Sequence, residues 1–125
     1  MYELTIRRDF SAAHMLQHYQ GKCANLHGHT WQVEVTVCGD TLDQAGMLVD
    51  FGVLKKMLAG ILQNYDHTCL NQTVDFQQQN PTAENIARQI FRHMAGGLAA
   101  AGLNVQVSKV RVWEAPDAAA TYREA

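Results

Sequence analysis

This chain lacks a dominant charge, and its cysteines lack paired spacing. Ten Lys and Arg stand against 12 Asp and Glu, a net charge of −2, and the charges are scattered rather than blocked. Such a distribution makes neither a nucleic-acid footprint nor a membrane-seeking surface, so no nucleic acid and no membrane is expected as a partner. An anionic substrate would have to be held by a local cluster. Cys23, Cys38 and Cys69 are odd in number and lack paired spacing, which speaks against a disulfide framework and for a reducing compartment. The opening MYELTIRRDF has no apolar stretch of signal-peptide length, and no segment is long enough to span a bilayer. No linker, repeat or low-complexity tract divides the chain. These absences leave a soluble cytoplasmic protein, one domain over residues 1–125, whose 47% apolar content suffices for a real core.

Two periodicities are present. Residues Tyr2 to about His14 open with Leu4 and Ile6 on one face of a strand. From Thr30 to Cys38, Trp31, Val33, Val35 and Val37 alternate with Gln32, Glu34 and Thr36. From Phe51 the period becomes helical, with Leu54, Met57, Leu58, Ile61, Leu62 and Tyr65 on one stripe and Asp50 as N-cap. A second helix starts after Thr82, its N-cap, buries Ile86, Ile90 and Met94, and is expected to end its stripe at Gly96-Gly97. In NVQVSKVRVWEA the alternation slips phase near Ser108-Lys109, which predicts a bulge. A short last strand is expected around Thr121 to Arg123. The order is β-β-α-α-β-β, an α+β domain with an antiparallel four-stranded sheet and two helices on one face. Its open strand edges predict oligomerisation.

The chemistry concentrates in a few places. In NLHGHTWQVEVTV, His27 and His29 are two residues apart in an extended segment and point to the same side. His14 ends the first strand; if the two strands pair, three imidazoles meet, a ligand set suited to catalytic zinc. A His-x-His pair alone reads equally well as part of a solvated strand. Cys23, four residues before His27, would rim such a site as a base or nucleophile, or close it as a fourth ligand. Asp66-His67 follows the first helix, where a carboxylate beside an imidazole suits proton transfer; alone it reads as a helix-ending turn. Glu114 shares the parity of Val110 and Val112, so it either finds a cationic group, binds one from a ligand, or ends an exposed strand.

Taken together, Ser11-Ala12-Ala13-His14, Cys23-Ala24-Asn25-Leu26-His27-Gly28-His29, Asp66-His67, Pro81-Thr82-Ala83-Glu84-Asn85 and Glu114 resemble the 6-pyruvoyl-tetrahydropterin synthase superfamily. The resemblance runs in order over nearly the whole chain. The short step from Cys23 to His27 is more similar to its bacterial branch, the 6-carboxy-tetrahydropterin synthases of queuosine biosynthesis. The resemblance implies the tunnelling fold (T-fold), whose sheets join in an oligomeric barrel, commonly a hexamer of two stacked trimers with active sites between subunits. It also implies Zn2+ on His14, His27 and His29, and 7,8-dihydroneopterin triphosphate as substrate. Cys23, Asp66 and His67 would move protons, Glu114 would anchor the pterin, and Thr82 would help to hold it. The products implied are 6-carboxy-tetrahydropterin, acetaldehyde and triphosphate.

Two features depart from the pattern or leave it open. Ala115 stands where the family often has Thr or Ser after the anchoring glutamate, and the triphosphate-binding residues are not assigned, Lys22 being a candidate by proximity to Cys23 alone. A sister activity on the same fold, making a 6-pyruvoyl product or cleaving the pterin side chain, is the second reading. A non-catalytic zinc-stabilised module is the third, but it has no use for Asp66-His67 and Glu114.

Overall fold

The computed structural model describes residues 1–124. Strand β1 (Tyr2–His14) and strand β2 (His27–Gly39) form an antiparallel pair whose register runs unbroken from Tyr2 opposite Gly39 to His14 opposite His27. The β2 alternation puts Trp31, Val33, Val35 and Val37 wholly inside, where two helices cover that face of the sheet.

Helix α1 (Phe51–Leu62) is capped by Asp50, whose carboxylate accepts from Gly52 N at 2.7 Å. It packs against β1 and buries Leu54, Leu58 and Leu62. Helix α2 (Ala83–Ala100) is capped by Thr82, packs on the other end of the sheet, and buries Ile86, Ile90, Met94 and Leu98. Its apolar stripe therefore passes through Gly96-Gly97 instead of ending there. The reason is a close approach: a Cβ on Gly97 would lie 2.8 Å from Met57 Sδ of α1. The glycine marks helix–helix contact, not a terminus.

Strand β4 (Gln106–Ala115) pairs with β2, and β5 (Ala118–Tyr122) pairs with β4. The expected bulge is present. Thr36 faces Lys109 and Val37 faces Val107, which leaves Ser108 without a partner. The last strand lies a few residues earlier than expected because Ala118-Ala119-Ala120 carries no alternation to read. A fifth strand, β3 (Thr68–Cys69), runs parallel to Ala12–Ala13. The sheet is thus five-stranded and mixed, in the order β3-β1-β2-β4-β5, although its four long strands are antiparallel as expected. Two residues are too few to show a period, so β3 left no trace in the hydropathy pattern.

Among the described residues, β1 is strand-paired along its outer edge only at Ala12–Ala13, and β5 has no outer neighbour. No helix of the described residues is long and apolar enough to cross a membrane.

Candidate metal centre and active site

The β1–β2 register dictates the centre. His14 lies directly opposite His27, and Ala12 opposite His29, so strand pairing alone brings the three imidazoles to one end of the sheet. Strand β4 then adds Glu114, two residues beyond Val112, which faces Val33. One ligand atom from each of His14, His27, His29 and Glu114 falls within 4.8 Å of every other.

Two of the rings are held by backbone carbonyls. His14 Nδ1 is 2.8 Å from Pro81 O, just before α2, and His27 Nδ1 is 2.6 Å from Asn25 O. A carbonyl only accepts, so both Nδ1 atoms carry the proton and both Nε2 atoms present lone pairs. Those two Nε2 atoms are 2.9 Å apart. His29 Nε2 is buried, makes no hydrogen bond, and lies 3.1 Å from Glu114 Oε1. Trp31 packs against His14 and His29 in T-shaped pairs, with ring centroids 4.8 and 5.2 Å away.

Electrostatics favour the ligand form of these rings. Burial pushes the His14 imidazole below its ordinary pKa, with His27 and His29 acting the same way against the Pro81 hydrogen bond and Glu114. His29 is lowered chiefly by burial too, with Glu114 opposing. Neutral imidazoles with lone pairs converging on a carboxylate form a donor set that fits a divalent cation of the zinc type. The carbonyls behind His14 and His27 are the outer partners that such ligands require.

The other candidates are not members of this cluster. Cys23 sits half-buried in a single 3-10 turn (Lys22–Ala24) between β1 and β2, and its thiol is not among the converging ligand atoms. Lys22 in the same turn is exposed. Asp66 and His67 dock on β1 near Ser11: Ser11 N donates to Asp66 Oδ1 at 2.9 Å and His67 N donates to Ser11 O at 2.6 Å. His67 Nδ1 is 2.9 Å from Asp66 Oδ2, its side chain is 82% exposed, and its backbone is left-handed at φ 59°. The Ser11 amide and then His67 hold the Asp66 carboxyl below its ordinary range. The Thr82 hydroxyl accepts from Asn85 N at 3.1 Å and so serves the helix cap.

Sequence reasoning missed the carbonyls of Asn25 and Pro81, since any residue offers one. Trp31 was placed on the inner stripe, and its parity with His27 and His29 was the available sign that it walls the cluster. Beside Glu114 and His29, a cavity of about 440 Å³ is lined further by Asp9, Thr30, Gln32 and Trp113.

The model of the 6-pyruvoyl tetrahydropterin synthase family matches residues 3–125. The chain belongs to that family. It is 39% identical to the 6-carboxy-5,6,7,8-tetrahydropterin synthase of Bacillus subtilis, over 98% of this chain and 85% of that protein. It is 30% identical to the enzyme of the same name from Haemophilus influenzae, over 99% of this chain and all of that one. The structure of Caenorhabditis elegans 6-pyruvoyl tetrahydropterin synthase superposes with a TM-score of 0.82 at 29% identity, covering 100% of this chain and 98% of that one. The Plasmodium vivax 6-pyruvoyl tetrahydropterin synthase shares the fold at 20% identity, with a TM-score of 0.78 and coverage of 98% and 97%. The four long strands and two helices are accordingly those of a T-fold domain, and the chain is a pterin-processing enzyme of this family.

Proposed function

We propose that the chain converts 7,8-dihydroneopterin triphosphate to 6-carboxy-5,6,7,8-tetrahydropterin, releasing acetaldehyde and triphosphate, as a step of queuosine (7-deazaguanine) biosynthesis. The observation that carries the reading is the cluster of His14, His27 and His29, with the Nε2 atoms of His14 and His27 facing each other at 2.9 Å. The relatives called 6-carboxy-tetrahydropterin synthase support the product.

His14, His27 and His29 would hold Zn2+, which when bound would supply Lewis acidity toward the hydroxyls of the substrate side chain. The protein's own groups do the rest. Pro81 O and Asn25 O fix the tautomers of His14 and His27, so the ring nitrogens that face the site stay unprotonated. Cys23 Sγ takes or returns a proton on the substrate side chain. His67, with Nδ1 committed to Asp66, has Nε2 left to accept or deliver the second proton. Asp66 is in turn held by the Ser11 amide, so the pair acts as one oriented unit. Glu114 receives the donor edge of the pterin, its 2-amino group and ring N–H. Electrons balance within the substrate: the side chain is oxidised by two electrons as the dihydropterin ring is reduced, and water supplies the second carboxyl oxygen.

A general base as exposed as His67 is of little use to one isolated chain. The reading therefore includes a homo-oligomer, a hexamer of two stacked trimers, in which free edges of β1 and β5 find partners and sites form between subunits.

The test is to incubate zinc-loaded protein with 7,8-dihydroneopterin triphosphate and identify products by mass spectrometry. A 6-carboxy pterin with acetaldehyde is expected. A pyruvoyl or shortened side chain would move the activity to a sister branch while keeping the site residues. No product from metal-loaded oligomer would overturn the reading.

A further inference from the structure

The chain leaves β1 at His14 and re-enters the sheet at His27, and the loop between them carries Cys23. Among the described residues no strand pairs with that loop, yet its first residues are bonded as if one did. Met15 N donates to Asn71 Oδ1 at 2.9 Å, and Asn71 Nδ2 donates to Met15 O at 2.9 Å. Two residues on, Gln17 N donates to Asn80 Oδ1 at 2.9 Å, and Asn80 Nδ2 donates to Gln17 O at 2.7 Å.

A carboxamide carries the donor and acceptor of a peptide group, so each asparagine occupies the place of a residue on a neighbouring strand. Residues two apart in an extended segment offer their N–H and C=O to the same edge. Leu16, between them, is turned to the opposite edge, where its N–H donates to Cys23 O at 3.0 Å. Asn80 is itself held, because its carbonyl accepts from Asn85 Nδ2 at 2.8 Å. The next carbonyl, on Pro81, is the one that orients His14. Separate hydrogen bonds, joined through the backbone of Asn80–Pro81 and Leu16–Gln17, thus tie the segment before α2 to His14 on one side and to the Cys23 turn on the other.

We propose that Asn71 and Asn80 are positioning residues for Cys23: their carboxamides stand in for a strand along Met15–Gln17 and, through Leu16, fix the thiol relative to the His14, His27 and His29 cluster. The inference rests on the proton-transfer role given to Cys23 above. Among the described residues neither asparagine side chain hydrogen-bonds a member of the ligand cluster, so their loss displaces Cys23 without removing a metal ligand. A reacting group misplaced by about 1 Å costs up to roughly a hundredfold in rate.

Asn71→Asp and Asn80→Asp keep size and one acceptor but set an oxygen against the Met15 or Gln17 carbonyl. In each variant zinc content and KM for 7,8-dihydroneopterin triphosphate are expected to stay unchanged, while kcat falls roughly ten- to a hundredfold. Iodoacetamide labelling, followed by peptide mass spectrometry, should show Cys23 reacting faster than in the parent protein, with Cys38 unchanged. Labelling of Cys23 at the parent rate, or an unaltered kcat, overturns the proposal. Should a variant not fold, amide exchange in the parent protein decides: Met15, Leu16 and Gln17 must exchange as slowly as β1, and exchange at open-loop rates overturns it. Labelling and exchange need no turnover. If the parent protein makes no product while labelling of the variants accelerates, the functional reading fails and the positioning of Cys23 stands.

Discussion

His14 and His27 face each other across paired strands with their Nε2 atoms 2.9 Å apart, while the Nδ1 of each is bound to a carbonyl. Two unprotonated nitrogens cannot share a hydrogen bond, and burial disfavours the imidazolium that would relieve them. A divalent cation between them would satisfy both. The Cys23 thiol is not among the converging ligand atoms, and under the proposed function it acts on the substrate. His27→Ala should therefore lose both bound zinc and turnover, whereas Cys23→Ala should keep zinc at the parent stoichiometry and lose turnover by roughly a hundredfold or more. Elemental analysis beside a product assay separates the two. Metal loss and unfolding in Cys23→Ala would instead make the thiol a structural ligand.

Acid should weaken the centre through the same rings. His14 and His29 both titrate below 6.5 in the folded chain, so the unfolded chain takes up protons first as the pH falls. Stability is then fully present above that value and declines as the pH drops through it toward the folded pKa values. For metal-free protein, the urea midpoint is expected to be level above about pH 7.5 and to fall below 6.5, the unperturbed imidazole value. His14→Gln should flatten that slope. A midpoint that rises on acidification would mean that the buried rings are charged. In metal-loaded protein the same protons compete with zinc, and release should follow the same direction.

The paired glycines of α2 test the helix packing. Gly96 is exposed and a Cβ there meets nothing within 4 Å, so Gly96→Ala should stabilise the helix by about 0.5–1 kcal/mol. At Gly97 the same gain is opposed by the 2.8 Å approach to Met57 Sδ, and since that side chain is flexible the net change should be near zero. Thermal melts of the two variants give the comparison. Equal stabilisation would show that α1 and α2 do not meet at Gly97.

Most of this was legible in the sequence where a side-chain period was strong or an approach was local. The β2 alternation, the Asp50 and Thr82 caps and the phase slip at Ser108 all appear where the pattern puts them. The convergence of His14 with His27 and His29 followed from strand pairing alone. What stayed hidden depends on backbone or on distant contact. The carbonyls of Pro81 and Asn25 have no residue signature, β3 is too short to carry a period, and Gly97 reads as a stop until Met57 is seen against it. The Asn71 and Asn80 tethers span 56 and 63 residues of chain, a separation no local pattern reports.

Glu114 is where the two uses of one carboxylate can be told apart. Its Oε1 lies 3.1 Å from His29 Nε2, close enough to complete a four-membered donor set. The same side chain lines the cavity of about 440 Å³ with Trp113, Gln32 and Thr30, where the proposed function places the pterin. Three imidazoles already suffice for catalytic zinc with one position left to substrate, and a fourth protein ligand would close it. Glu114→Gln retains an acceptor and the side-chain size but removes the charge that a paired N–H donor edge prefers. Losing one charge-assisted bond is worth about 1.5–3 kcal/mol, so KM should rise roughly ten- to a hundredfold while zinc content stays at the parent level. Zinc loss from Glu114→Gln, with KM unchanged in the metal-loaded fraction, would make Glu114 a ligand and leave the pterin edge to Asp9 or Gln32.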